Sequence, residues 1–281
     1  MPRKLPILTA LRATYGSIRA HSDALPTLAR GTALVAAVAA ALSVVSVQLI
    51  LSDEHEAVAF LASPPGERAA AYTSLASLVV LLGLFVIIVR WHRMIVRDIA
   101  AVETRRKVAG AAALYFARGM LVAWIGFGIA VVAGLLPLTW ARDLGMPSDA
   151  RWVFSVAWIA AVIIGALLIV GRLSLILPAG AVGDYHVTMS RAWELSRGNS
   201  WRILTGSILA SGPAVLANFA LNGLMDALPT AHASVPALVA ALVLSLLLFA
   251  VTAIVQASFL SYAYRFLTGD HIVQTPLALE R

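Results

Sequence analysis

"WVFSVAWIAAVIIGALLIVG", residues 152–171, carries no charged side chain. A helix that spans a bilayer needs about 20 consecutive apolar residues, and this run supplies them. Five further uncharged stretches have the same character: 31–52, 69–89, 119–141, 203–225 and 237–264. Over the 281-residue chain, 60% of residues are hydrophobic and only 12% charged, against about a quarter charged in a soluble domain. Alternating barrel-type patterning is absent. The sequence predicts an all-α integral membrane protein of six transmembrane helices.

The basic residues set the expected orientation. Of the 21 Lys and Arg, 18 fall in the N-terminal segment, the second and fourth connections and the C-terminal tail. Only Arg68, Arg142 and Arg151 lie in the other three connections. Positive charge accumulates on the cytoplasmic side, which puts both termini in the cytoplasm and pairs the spans as three hairpins. The predicted organisation is a cytoplasmic amphipathic segment (1–30), a six-helix membrane domain (31–267) and a cytoplasmic tail (268–281). Residues 31–52 are too long for the h-region of a signal peptide, typically about 7–15 residues. Leu5, Leu8, Leu11, Tyr15 and Ile18 recur at three- and four-residue steps, which predicts an interfacial helix with Arg12 and Arg19 near anionic headgroups.

Each even-numbered span ends at an arginine (Arg90, Arg172, Arg265) followed by an aspartate in "RWHRMIVRD", "RLSLILPAGAVGD" or "RFLTGD". This pattern fits a degenerate threefold repeat of hairpins. It equally fits membrane flanks converging on arginine and aromatics. Small residues at four-residue steps, Gly126, Ala130 and Gly134 on the third span with Ala157, Ala161 and Gly165 on the fourth, predict a close pair of helices. The fifth span carries Gly206, Ala210, Ala214, Asn218, Asn222 and Asp226 at the same step. Its polar part, Asn218, Asn222 and Asp226, with Gln256 and Gln48 as partners, reads either as interhelical glue or as the lining of a cavity. Such hydrogen bonds contribute roughly 0.6–2 kcal/mol each.

Catalytic motifs are missing. There is no nucleophile elbow, phosphate-binding glycine loop or His-Glu-x-x-His, and no Asp or Glu inside a span to relay protons. With no cysteine, disulfides, thiolate chemistry and palmitoylation are excluded. No cofactor is expected. The "DEHE" at residues 53–56, with Asp226 and His232, contains possible ligands for a divalent cation, but ligand type alone specifies little.

The richest segment is "RLSLILPAGAVGDYHVTMSRAWELSRGNSWRIL", residues 172–204. Pro178 should end or bend the fourth span, after the chain passes Arg172. Thr188 is a plausible N-cap of a short helix over 188–197. Gly198 suits its C-terminal cap, and Asn199 or Ser200 can cap the next helix. Met189, Trp193 and Trp201 would then sit at headgroup depth. A competing reading buries Arg172 and pairs it with Asp184 or Glu194.

This segment resembles the signature of a bacterial family of poly-helical proteins similar to the membrane domain of glycerophosphodiester phosphodiesterases. The residues carrying the likeness are Arg172, Pro178, Asp184, Ala192, Trp193, Arg197, Gly198, Asn199, Trp201 and Arg202. "VRWHRMIV" at 89–96 resembles uncharacterised members, and elsewhere only the helix pattern agrees. The phosphodiesterase barrel and its metal ligands are absent, so the resemblance implies a membrane scaffold in a bacterial inner membrane. The expected function is a non-enzymatic scaffold or accessory protein that engages lipids, anionic ones included, or partner proteins at the cytoplasmic surface. Self-association is compatible with that role, and nucleic acid is not an expected partner. The alternative is a small-molecule or lipid transporter or channel that uses the polar stripe of the fifth helix.

Overall fold

The computed structural model describes residues 3–26, 64–97, 105–143, 147–227 and 235–269, and every regular element among them is helical. In chain order these are α1 (Ile7–Ala20), a 3-10 turn (Ser22–Ala24), α2 (Pro64–Arg97), α3 (Arg105–Asp143), α4 (Ser148–Leu173), α5 (Ile176–Val182), α6 (Met189–Leu195), α7 (Ser200–Ala227) and α8 (Val235–Thr268). Five segments are long and apolar enough to cross a membrane: Ala70–Arg97, Gly110–Gly134, Ala150–Val182, Ser200–Leu224 and Val243–Thr268. They make the chain a multi-pass membrane protein by length and composition. The remaining apolar run, 31–52, lies outside the described residues.

The five long helices close a circuit of contacts: α4 packs on α3, α3 on α2, α2 on α8, α8 on α7, and α7 on α4. The seven-residue α5 fills the middle of one end, touching α2, α3 and α8 with Ile176, Pro178, Ala179, Gly180, Ala181 and Val182 all buried. That end is the basic one, where α2, α4 and α8 carry Arg97, Arg172 and Arg265 in their last turns. The core concentrates there. One cluster gathers Leu175, Ile176, Ile203 and Phe259, and another Val89, Trp91, Met94 and Tyr115. Elsewhere α3 and α4 expose Trp124, Phe127, Val132, Val153 and Ile163, an apolar surface suited to lipid.

Two glycines fix the close approaches. A Cβ on Gly206 of α7 would overlap the Phe259 ring of α8, and one on Gly126 of α3 would come within 2.6 Å of Val170 Cγ2 on α4. The α3–α4 face differs from the predicted one, however. Ala161 is exposed, and a Cβ on Gly134 or Gly165 would meet nothing within 4 Å. Instead α4 presents Trp158, whose Nε1 donates to the Ala133 carbonyl at 2.7 Å, together with buried Ala166 and half-buried Val170. On α4 the contact therefore runs one residue along from Ala157, Ala161 and Gly165, while on α3 Gly126 of the predicted stripe does lie at it. The Trp158 bond satisfies the indole N–H in an apolar setting.

The N-terminal helix packs on the bundle along one side. It lies against α7 and α8 through Ala10 and Thr14, while Leu8, Arg12, Tyr15 and Arg19 remain exposed. Leu11 and Ile18 of the predicted stripe also pack against the core. Leu8 of the same stripe is exposed, and Tyr15, open on one side, donates its hydroxyl to the Ala210 carbonyl of α7 at 2.7 Å.

Candidate functional site

The joint between α4 and α7 begins with a break that proline dictates. Pro178 has no N–H, and its ring would collide with the carbonyl four residues back, that of Ser174. The helix stops at Leu173, and the freed Ser174 carbonyl accepts instead from the Leu177 N–H at 3.0 Å. The break thus falls before the proline rather than at it, and Pro178 sits in the first turn of α5, where a missing N–H costs little. Gly183 ends α5 at φ +73°, with Asp184 N–H reaching back to the Ala179 carbonyl at 2.8 Å. That six-to-one closure is a Schellman motif.

Asp184 then fastens the loop. One carboxylate oxygen accepts from the Tyr264 hydroxyl of α8 at 2.6 Å, the other from the His186 N–H at 3.0 Å. Thr188 caps α6 by accepting from Arg191 N–H at 3.3 Å. Gly198 adopts φ +78°, the left-handed region in which glycine carries no Cβ penalty.

Arg172 locks this joint, through partners other than the carboxylates expected. Its Nε donates to Ser196 Oγ at 3.0 Å and its Nη2 to the Trp193 carbonyl at 2.7 Å. Its guanidinium carbon lies 3.5 Å from the centroid of the Trp193 ring, a cation–π stack. Glu194 is occupied by Arg191 at 3.1 Å, and Asp184 by Tyr264. The Trp193 carbonyl belongs to the last turn of α6, where carbonyls lack intrahelical donors. Arg265 does the same service for α2, donating to the Ile95 carbonyl at 2.8 Å. Arg118 of α3 donates to the Ile176 carbonyl at 3.1 Å and packs along Gly180. Arg90, the remaining arginine of the proposed repeat, has its Nε buried without a hydrogen bond among the described residues. The three arginines are therefore used differently.

Asn199 and Arg202 bind the N-terminal segment. Asn199 is buried; its Oδ1 accepts from the Leu5 N–H at 2.7 Å and its Nδ2 donates to the Arg3 carbonyl at 2.8 Å. Arg202 Nη1 donates to the Leu5 carbonyl at 2.8 Å. Asn199 occupies the position before α7, yet its side chain serves Leu5 rather than the helix. Trp201 is exposed, Met189 half-buried, and Trp193 covered on the face that Arg172 stacks upon.

A second polar cluster, which the sequence did not disclose, joins α2, α3 and α8. Trp91 Nε1 donates to Ser258 Oγ at 2.7 Å. The His92 ring lies 2.7 Å from Ser261 Oγ through Nδ1 and 3.4 Å from the Tyr115 hydroxyl through Nε2. His92, Ser258 and Ser261 have no exposed surface. The available signal was the three-residue spacing of Ser258 and Ser261 in an otherwise apolar run.

The polar stripe does not converge on Gln256. Asn222 Nδ2 donates to the Asn218 carbonyl of its own helix at 2.9 Å. Gln256 Nε2 reaches the Ser207 carbonyl and Ser211 Oγ, each at 3.1 Å, one full region nearer the basic end of α7. Residues 53–56, Gln48 and His232 lie outside the described residues, as does the Asp226 side chain. Among the described residues no three His, Asp or Glu side chains gather as metal ligands. No protein-family model, curated protein or solved structure matches this chain.

Proposed function

We propose that this protein is a non-enzymatic scaffold of a bacterial inner membrane, with six spans in three hairpins and both termini in the cytoplasm. Its basic end engages lipid headgroups or partner proteins at the cytoplasmic surface. The likeness of residues 172–204 to a poly-helical membrane family belongs to this reading. It carries the scaffold, not the hydrolase.

The observation that carries the proposal is a pair of aromatic and charged levels along one helix. Trp152 is 69% exposed at one end of α4, and Arg172 stacks on half-open Trp193 at the other. The helical rise between positions 152 and 172 is about 30 Å, the thickness of a hydrocarbon core. Exposed Tyr185, Trp193 and Trp201 sit with Arg191 and Arg197 at the basic level, the composition of a headgroup belt. A basic belt on the cytoplasmic leaflet meets anionic lipid.

The test is extraction of the full-length protein into polymer-bounded native membrane discs, followed by mass spectrometry of the lipids and proteins that accompany it. Enrichment of anionic phospholipid, or of one stoichiometric protein, over the surrounding membrane is the expected result. Bulk lipid composition with no accompanying protein would remove the proposal.

A further inference from the structure

Several of the cations at the basic end are already committed. Arg118, Arg202 and Arg265 each donate to a main-chain carbonyl, and Arg191 pairs with Glu194. Arg172 and Arg197 differ. Arg172 uses Nε and Nη2, while its Nη1 makes no hydrogen bond among the described residues. Arg197 is exposed, immediately follows the Ser196 that accepts from Arg172, and has no hydrogen bond or ion pair among the described residues. Because Ser196 accepts from Arg172 Nε at 3.0 Å, residue 197 starts one step from the Arg172 guanidinium, and its long side chain can reach a ligand held there. The nearby carboxylates, Glu194 and Asp184, are turned to other partners. A fixed guanidinium and a second, unpaired one within reach of it can together take an anion with several oxygens. The Trp193 ring beneath Arg172 holds its plane fixed, so little ordering is left for a ligand to impose.

We propose that Arg172 and Arg197 form a binding site for a phosphate ester, presented by the headgroup of an anionic phospholipid. Arg172 is the fixed element, held by Trp193 and Ser196. Arg197 is the free arm that closes on the anion. Exposed Trp201, on the first turn of α7, provides an amphipathic ring at the same level for the glycerol region of the lipid. This inference rests on the membrane-surface reading above and narrows it to one site.

The experiment uses the full chain in detergent and counts retained lipid by native mass spectrometry, titrating phosphatidylglycerol and phosphatidylcholine in parallel. The variants are Arg197→Gln, Arg197→Lys and Arg151→Gln, the last an exposed cation at the opposite end of α4. The wild type should retain phosphatidylglycerol over phosphatidylcholine. Arg197→Gln should lower that retention about fivefold, the effect of one cation at an anionic surface. Arg197→Lys should keep most of it, and Arg151→Gln all of it. Preference for phosphatidylglycerol that survives intact in Arg197→Gln overturns this site and leaves the surface reading standing. No preference for phosphatidylglycerol in the wild type, together with no response to inorganic phosphate, overturns both. Inorganic phosphate at millimolar concentration forms the second arm. If it raises the thermal midpoint of the wild type but not of Arg197→Gln, while neither lipid is preferred, the phosphate site stands with a free anion as its ligand, and the surface reading fails.

Discussion

Asn199 holds the main chain at Leu5 across 194 residues of sequence, with Oδ1 2.7 Å from the Leu5 nitrogen. Both groups are buried, so neither has water as an alternative partner. The contact turns the turn between α6 and α7 into the anchor of the N-terminal segment, and Arg202 closes the other side by binding the Leu5 carbonyl.

Removing this anchor has a defined cost. Asn199→Ala strands the Leu5 N–H and should destabilise the protein by about 1–3 kcal/mol. Trypsin should then cleave faster at Arg12 and Arg19 in the variant than in the wild type. An unchanged thermal midpoint together with unchanged cleavage would show that the N-terminal segment is held elsewhere.

Arg172 should be sensitive to shape as well as charge. Arg172→Lys keeps the cation but loses the fork to Trp193 and Ser196 and the flat stack on the indole. We expect both Arg172→Lys and Arg172→Gln to lower stability by about 1–2 kcal/mol, read from thermal melts in detergent. Full rescue by lysine would reduce the residue to a surface charge.

How much of this was legible depends on range. Thr188 as a cap and Gly198 as a left-handed terminator could be read from the chain, because each acts within a few residues. Pro178 was legible as a breaker, though its effect lands at Ser174, the carbonyl its ring would strike. The partners of Arg172 were not legible: Glu194 and Asp184 were the nearest opposite charges, but an i,i+3 arginine and a tyrosine from α8 claimed them first. Which part of the α1 stripe meets protein was not legible, because in a membrane protein an apolar side chain can turn to lipid or to the bundle: Leu11 and Ile18 pack on the core while Leu8 is exposed.

The same competition decides the glycines. Gly206→Val should clash with Phe259, and Gly126→Val with the stiff, β-branched Val170; each should cost about 1–3 kcal/mol. Gly165→Val should be nearly neutral, since its Cβ enters open space. Thermal melts of the three variants settle which stripe is the interface. Loss at Gly165 equal to that at Gly126 would restore the small-residue face read from the sequence.

The orientation of the basic end underlies the whole functional account and has a direct test. The chain lacks cysteine, so single cysteines report cleanly. Ala150 and Ser190 are both exposed, at opposite ends of the α4–α6 region, whereas Ser196 is buried and unsuitable. In intact cells a membrane-impermeant maleimide should label Ala150→Cys and should reach Ser190→Cys only after the membrane is opened. Labelling of Ser190→Cys in intact cells, with Ala150→Cys protected, would put the arginine-rich joint outside and contradict the account.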